Sequence, residues 1–134
     1  MIDVTDRLIQ EAQRIAATLD STATALEQAM RAEADAKGAM LAAKQAHADS
    51  EAEIRFDAVT NANGKNAEAR AAEVDRALIA ARNGGALAGT WQLLNTAQRQ
   101  HDAAKLALET AIVRHKATCA VAELQSAMLR AVAR

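Results

Sequence analysis

The larger apolar residues in the first half of the chain recur at a fixed distance. Leu8, Leu19, Met30 and Leu41 are each eleven residues apart, and Ala52 continues the row. Ile15 and Leu26 open a second row that runs through Lys37 and Ala48 to Val59. A third passes through Ala12, Ala23, Ala34 and Gln45 to Phe56. An eleven-residue repeat corresponds to about 3.67 residues per turn, so the pattern predicts one long helix pairing in a straight or slightly right-handed manner. Lys37 and Gln45 interrupt it and weaken the middle of this arm.

The segment Asn61-Ala62-Asn63-Gly64 ends the first arm, since Asn-Gly supports positive φ at low cost. Asn66 then stands where an N-cap belongs, with Glu68 in the first turn of a second helix. That arm breaks at Asn83-Gly84-Gly85 and resumes by Thr90, itself a candidate N-cap. The last helix carries Trp91, Leu94, Leu108, Ile112, Cys119 and Ala122 on one side. A second stripe of Leu106, Val113, Ala117, Ala120, Leu124, Met128 and Val132 widens the apolar face beyond what one partner helix covers.

The predicted fold class is therefore all-α: an elongated antiparallel helical hairpin, coiled-coil-like, with its second arm broken near Gly84-Gly85. It forms a single helical domain over 1–134, with arm one at 3–60, a turn at 61–65, and arm two at 66–82 and 86–132. A reversal at the break competes with a kink there. Length matching favours the kink, because each arm then spans roughly 85–100 Å at ~1.5 Å per residue. Folding the ladder about Asn63 brings Gly38 level with Gly84, Gly85 and Gly89, which reads either as close helix approach or as a hinge.

Composition sharpens this picture. Of the 134 residues, 37 are alanine; the other large apolar side chains suit a thin seam between helices better than a round core. Alanine has the highest helix propensity, and proline is absent. Residues 1–63 hold 6 basic and 11 acidic side chains, whereas residues 64–134 hold 10 basic and 6 acidic. Complementary arms account for this asymmetry more simply than a basic binding face, because Glu68, Glu73, Asp75, Asp102, Glu109 and Glu123 interrupt the positive arm. Cys119 is the one cysteine, the N-terminus lacks a signal-peptide pattern, and no apolar run reaches ~18 residues, so a cytoplasmic, non-membrane protein is expected.

Candidate chemistry is sparse. Folded about Asn63, His115 falls level with Glu11, His101 with Ala25 and His47 with Ile79, so no metal site assembles. Cys119 lies within an apolar stripe and reads as a small core residue. No phosphate loop is present, and neither an enzymatic activity nor a cofactor is expected. For nucleic acid, Lys65 and Arg70 at the turn are the candidate contacts, without the density of basic groups that backbone binding requires.

The segment Gly64-Lys65-Asn66-Ala67-Glu68-Ala69-Arg70 resembles a turn found in small helical-hairpin proteins of bacteriophages and prophages, mostly uncharacterised, some of them encoded among recombination genes. The resemblance implies a phage or prophage origin, which would place the protein in the host cytoplasm. Two functions follow as expectations. The first is a self-associating coiled-coil interaction protein, a homodimer or higher homo-oligomer, that binds or inhibits a host or viral protein complex, including a defence complex. Its interface would be Leu106, Val113, Ala117, Ala120, Leu124, Met128 and Val132. The alternative is an accessory factor in phage DNA recombination or replication.

Overall fold

The computed structural model describes residues 3–133. Among them there are three α-helices and no strand: α1 (Val4–Asn61), α2 (Ala67–Arg82) and α3 (Ala86–Val132). No helix is long and apolar enough to cross a membrane among the described residues. The helices end where side chains or glycines replace the lost backbone bonds. Asn66 adopts an extended conformation (φ −140°, ψ 173°), and its side chain accepts from the Ala69 amide at 2.8 Å, capping α2. At the other end the Asn83 amide donates to Ile79 O at 3.0 Å, and Gly84 follows at φ 112°, a conformation suited to glycine. Helix α3 begins at Ala86, earlier than the Thr90 cap expected from sequence. Thr90 lies inside it, donating its hydroxyl to Leu87 O at 3.2 Å.

The chain divides into two compact units, each made of segments from α1 and α3. Unit 2 (Asp35–Asp102) also contains the connection and α2. That connection is not a tight reversal at Asn63. The Asn63 amide donates to Glu73 Oε2 at 2.8 Å, and Arg70 Nη1 donates to Gly64 O at 3.2 Å. A Cβ on Gly64 would meet Arg70 N at 2.7 Å. Residues 62–64 therefore lie alongside the first turns of α2, and the return strand of the pairing starts late. As a result Glu51 meets Arg82 at 3.3 Å, and His47 meets Thr90 at 2.8 Å instead of lying level with Ile79. From Glu51 back to His47 the partner moves forward from Arg82 to Thr90, so within this unit the chain crosses Gly84-Gly85 without reversing.

In unit 1 (residues 1–34 and 103–134) the α1 and α3 segments again run in opposite directions. Thr22 bonds His115 at 3.0 Å, and Gln125 Nε2 donates to Leu8 O at 3.4 Å. His115 is thus set against Thr22, not Glu11; the delayed return explains the offset here too.

The faces that pack follow seven-residue spacing, not eleven. Along α1 in unit 1 the buried and half-buried positions are Leu8, Ala12, Ile15, Leu19, Thr22, Leu26, Ala29 and Glu33, in alternating steps of four and three. On α3 they include Ala104, Leu108, Ala111, His115, Thr118, Ala122, Gln125 and Leu129, spaced likewise, with Ile112 and Cys119 half-buried beside them. In unit 2 Ala36, Met40, Ala43, His47, Ser50 and Ile54 face inward from α1, and Leu87, Thr90, Leu94, Ala97 and His101 from α3. This alternation of four and three averages about 3.5 residues per turn of the contact face. The eleven-residue row leaves such a seam after one repeat: Leu8 and Leu19 are half-buried, but Met30 and Leu41 are more than half exposed.

The glycines separate into two groups. Nothing lies within 4 Å of a Cβ built on Gly38, Gly84 or Gly89, so close helix approach does not explain them. A Cβ on Gly85 would meet Ala81 Cα at 2.7 Å. Gly38→Ala, inside a helix with open space beside it, is expected to stabilise the protein by about 0.5–1 kcal/mol, whereas Gly64→Ala and Gly85→Ala destabilise it. Urea denaturation midpoints of the three variants check this contrast.

Candidate functional site

Two features stand out from the paired faces: an apolar stripe on α3 in unit 1, and a cavity at the α2–α3 break in unit 2. The stripe contains the interface residues expected from sequence. Leu106, Val113 and Leu124 are 65%, 66% and 64% exposed, Met128 and Val132 are more than half exposed, and Ala117 and Ala120 are exposed as well. Their partners on the inner side of the same helix, Leu108, His115, Ala122 and Leu129, are half-buried against α1. Beside the stripe lies a groove of about 610 Å³ with Leu106 on its rim and Ala25, Ala29, Ala103 and Ala107 lining it. At a neighbouring depression Arg14 Nε donates to Glu11 Oε2 at 3.0 Å, and this hydrogen bond holds the Glu11 carboxyl below its ordinary range.

Each unit carries a threonine–histidine pair in its seam. Thr22 donates its hydroxyl to Leu19 O at 3.1 Å, which leaves its oxygen to accept from His115 Nδ1 at 3.0 Å. Nε2 of His115 lies 3.6 Å from Cys119 Sγ. In unit 2 the Thr90 hydroxyl is given to Leu87 O, which leaves its oxygen to accept from His47 Nδ1 at 2.8 Å. The histidines thus serve as seam donors. Among the described residues no group of three or more metal-binding side chains forms.

The cavity at the break measures about 500 Å³ and is lined by His47, Glu51, Arg82, Asn83, Leu87 and Trp91. Leu87 is fully buried, and the His47 and Trp91 rings stand 5.8 Å apart at 48°. Glu51 Oε1 receives both Arg82 at 3.3 Å and Arg55 at 3.4 Å. No family model, curated protein or solved structure matches the chain. The sites rest on their own geometry.

At the turn, the two candidate nucleic-acid contacts are differently engaged. Arg70 is committed to Gly64 O, whereas Lys65 is exposed and forms no ion pair among the described residues. Glu68 and Glu73 share the same two turns of α2.

Reading by hydrophobic spacing missed the cavity and the threonine–histidine pairs. An internal repeat marks them. Residues 19–50 and 87–118, offset by 68, share ten identities: Leu19/Leu87, Thr22/Thr90, Leu26/Leu94, Ala29/Ala97, Arg31/Arg99, Ala36/Ala104, Lys37/Lys105, Ala39/Ala107, Ala43/Ala111 and His47/His115. Seven of these fall on buried or half-buried positions, so the repeat preserves the seam above all. The two Thr–His pairs are therefore the same pair used twice, once from each helix. Replacing Thr22 by Val deprives a half-buried N–H of its acceptor, and a loss of about 1 kcal/mol is expected. In a double-mutant cycle Thr22→Val should couple to His115→Leu by a similar amount and not to His47→Leu; equal coupling to both histidines would overturn the pairing.

Proposed function

We propose that the protein is a non-enzymatic helical hairpin of the coiled-coil type that self-associates and presents a helical face to a protein partner. The observation that carries this reading is the stripe Leu106, Val113, Ala117, Ala120, Leu124, Met128 and Val132, which points away from the seam with its large members more than half exposed. Removing such surface from water yields about 25 cal/mol per Å², and contiguous apolar surface on a helix marks an interaction face. A second copy is the simplest cover, because it brings an identical stripe and forms a closed two-fold contact. The alanine-lined groove beside the stripe supports this reading, since small side chains admit a second helix closely.

With the phage-like turn at Gly64–Arg70, the reading extends to a phage or prophage accessory protein of the host cytoplasm that binds or inhibits a host or viral complex, a defence complex among them. The alternative, an accessory factor in DNA recombination or replication acting through Lys65 and Arg70, has less support, because Arg70 is spent on Gly64 O and the surrounding turns are acidic.

Multi-angle light scattering tests the proposal. The expected mass is twice the 14.1 kDa of the chain or a higher multiple, and Leu106→Glu combined with Leu124→Glu should return the monomer with the helical circular dichroism retained. A monomer mass for the unaltered protein at high concentration would sink it.

A further inference from the structure

The cavity at the α2–α3 break has a chemistry that the self-association reading leaves unused, and the internal repeat shows that it is not an automatic product of this helix pairing. Aligned by the 68-residue offset, its lining residues His47, Glu51, Arg82, Asn83, Leu87 and Trp91 correspond to His115, Cys119, Arg14, Ile15, Leu19 and Ala23. The histidine, arginine and leucine are kept. The other three differ in ways that open and furnish a hollow. Where α1 runs on through Ile15-Ala16-Ala17 with Ile15 buried, the second copy of the pattern has Asn83-Gly84-Gly85 and the helix breaks. Ala23 is replaced by Trp91, which is 53% exposed, and Cys119 by Glu51.

We propose that this cavity is a binding site for a planar heteroaromatic anion of the nucleotide class. Trp91 supplies a stacking face, steadied on one side by the His47 ring. Leu87 is fully buried behind these groups. A ring edge with both donors and acceptors meets matching groups: the Asn83 side-chain amide, which makes no hydrogen bond among the described residues, the His47 Nε2 nitrogen, and Glu51 Oε2, which neither arginine engages. Arg82 points to an anion: it lines the cavity, is 54% exposed, and shares a single carboxylate oxygen of Glu51 with Arg55, so one guanidinium edge is open to an anionic group. At about 500 Å³ the cavity is in the size range of small-ligand sites. A free nucleotide and a base of a single strand both carry this chemistry.

Trp91 is the one tryptophan and there is no tyrosine, so emission excited at 295 nm reports on this cavity alone. Titration with adenosine monophosphate is expected to change the emission saturably, with uncharged adenosine weaker by about tenfold or more. Arg82→Gln, an exposed position whose loss leaves the helices intact, should lower the nucleotide's affinity to that of adenosine. Trp91→Leu, followed by calorimetry, should abolish binding while leaving the thermal unfolding midpoint near that of the parent. A short oligodeoxyadenylate that binds more tightly than the mononucleotide, and loses that binding in both variants, assigns the source to a single strand; weaker binding assigns it to the free nucleotide. Absence of a saturable response to both probes at millimolar concentration overturns the proposal, as does a response unchanged by Arg82→Gln.

Discussion

The helices meet along a seam in which alanine, serine and threonine are interspersed among larger side chains that stay half-buried, and most other features follow from how little such a seam can bury. Among the described residues only Ile15, Leu78, Leu87 and Ala97 are buried apolar side chains. An alanine withdraws far less apolar surface from water than a leucine, so packing energy per turn is low. The helices compensate locally through alanine's propensity and through exposed pairs such as Arg31–Glu27 at 2.7 Å. The seam residues Ala29, Ala36 and Ala43, and Ala97, Ala104 and Ala111, also discriminate poorly between registers, because sliding by seven residues swaps alanine for alanine. Polar pairs remove that degeneracy: a half-buried histidine N–H must find its threonine, and a slipped register leaves it unmet.

The same property decides what could be read from the sequence. Alanine content and the absence of proline made the helical class plain, and the Asn-Gly segments located the interruptions. The packing period was not legible, because alanine occurs on every face and contributes to any trial repeat. The larger residues outweigh the alanines in any hydrophobic pattern, and Met30, Leu41, Phe56 and Val59, all exposed, extend an eleven-residue spacing that the packed face does not follow. The true inner face runs through Thr22, Ser50, Thr90, His47 and His115, residues that a hydrophobic count discards. The register failed for a separate reason. A turn centred on Asn63 presumes that the chain reverses where the helix ends, whereas residues 62–64 are held beside α2 by Glu73 and Arg70. No composition signal distinguishes a connection that climbs along its neighbour from one that bends sharply.

The internal repeat separates scaffold from specialisation more sharply than either the burial pattern or the composition does. Positions shared between residues 19–50 and 87–118 lie mainly on the seam and are sufficient to explain why the helices pair. Positions that differ lie mainly outside it. Leu106 stands where the first copy has Gly38, Val113 where it has Gln45, and Ala117 where it has Asp49. At these three positions the apolar side chains of α3 have a source other than the seam, since α1 pairs with glycine, glutamine and aspartate there. The same comparison holds at the break. A continuous helix through Ile15-Ala16-Ala17 satisfies its backbone and buries a large side chain, so replacing it with Asn83-Gly84-Gly85 forfeits both helical hydrogen bonds and apolar burial. In a protein whose seam has so little burial to give up, a departure that costs stability and in exchange gathers Trp91, Arg82 and Glu51 round a cavity is better explained by what the cavity holds than by how the chain folds.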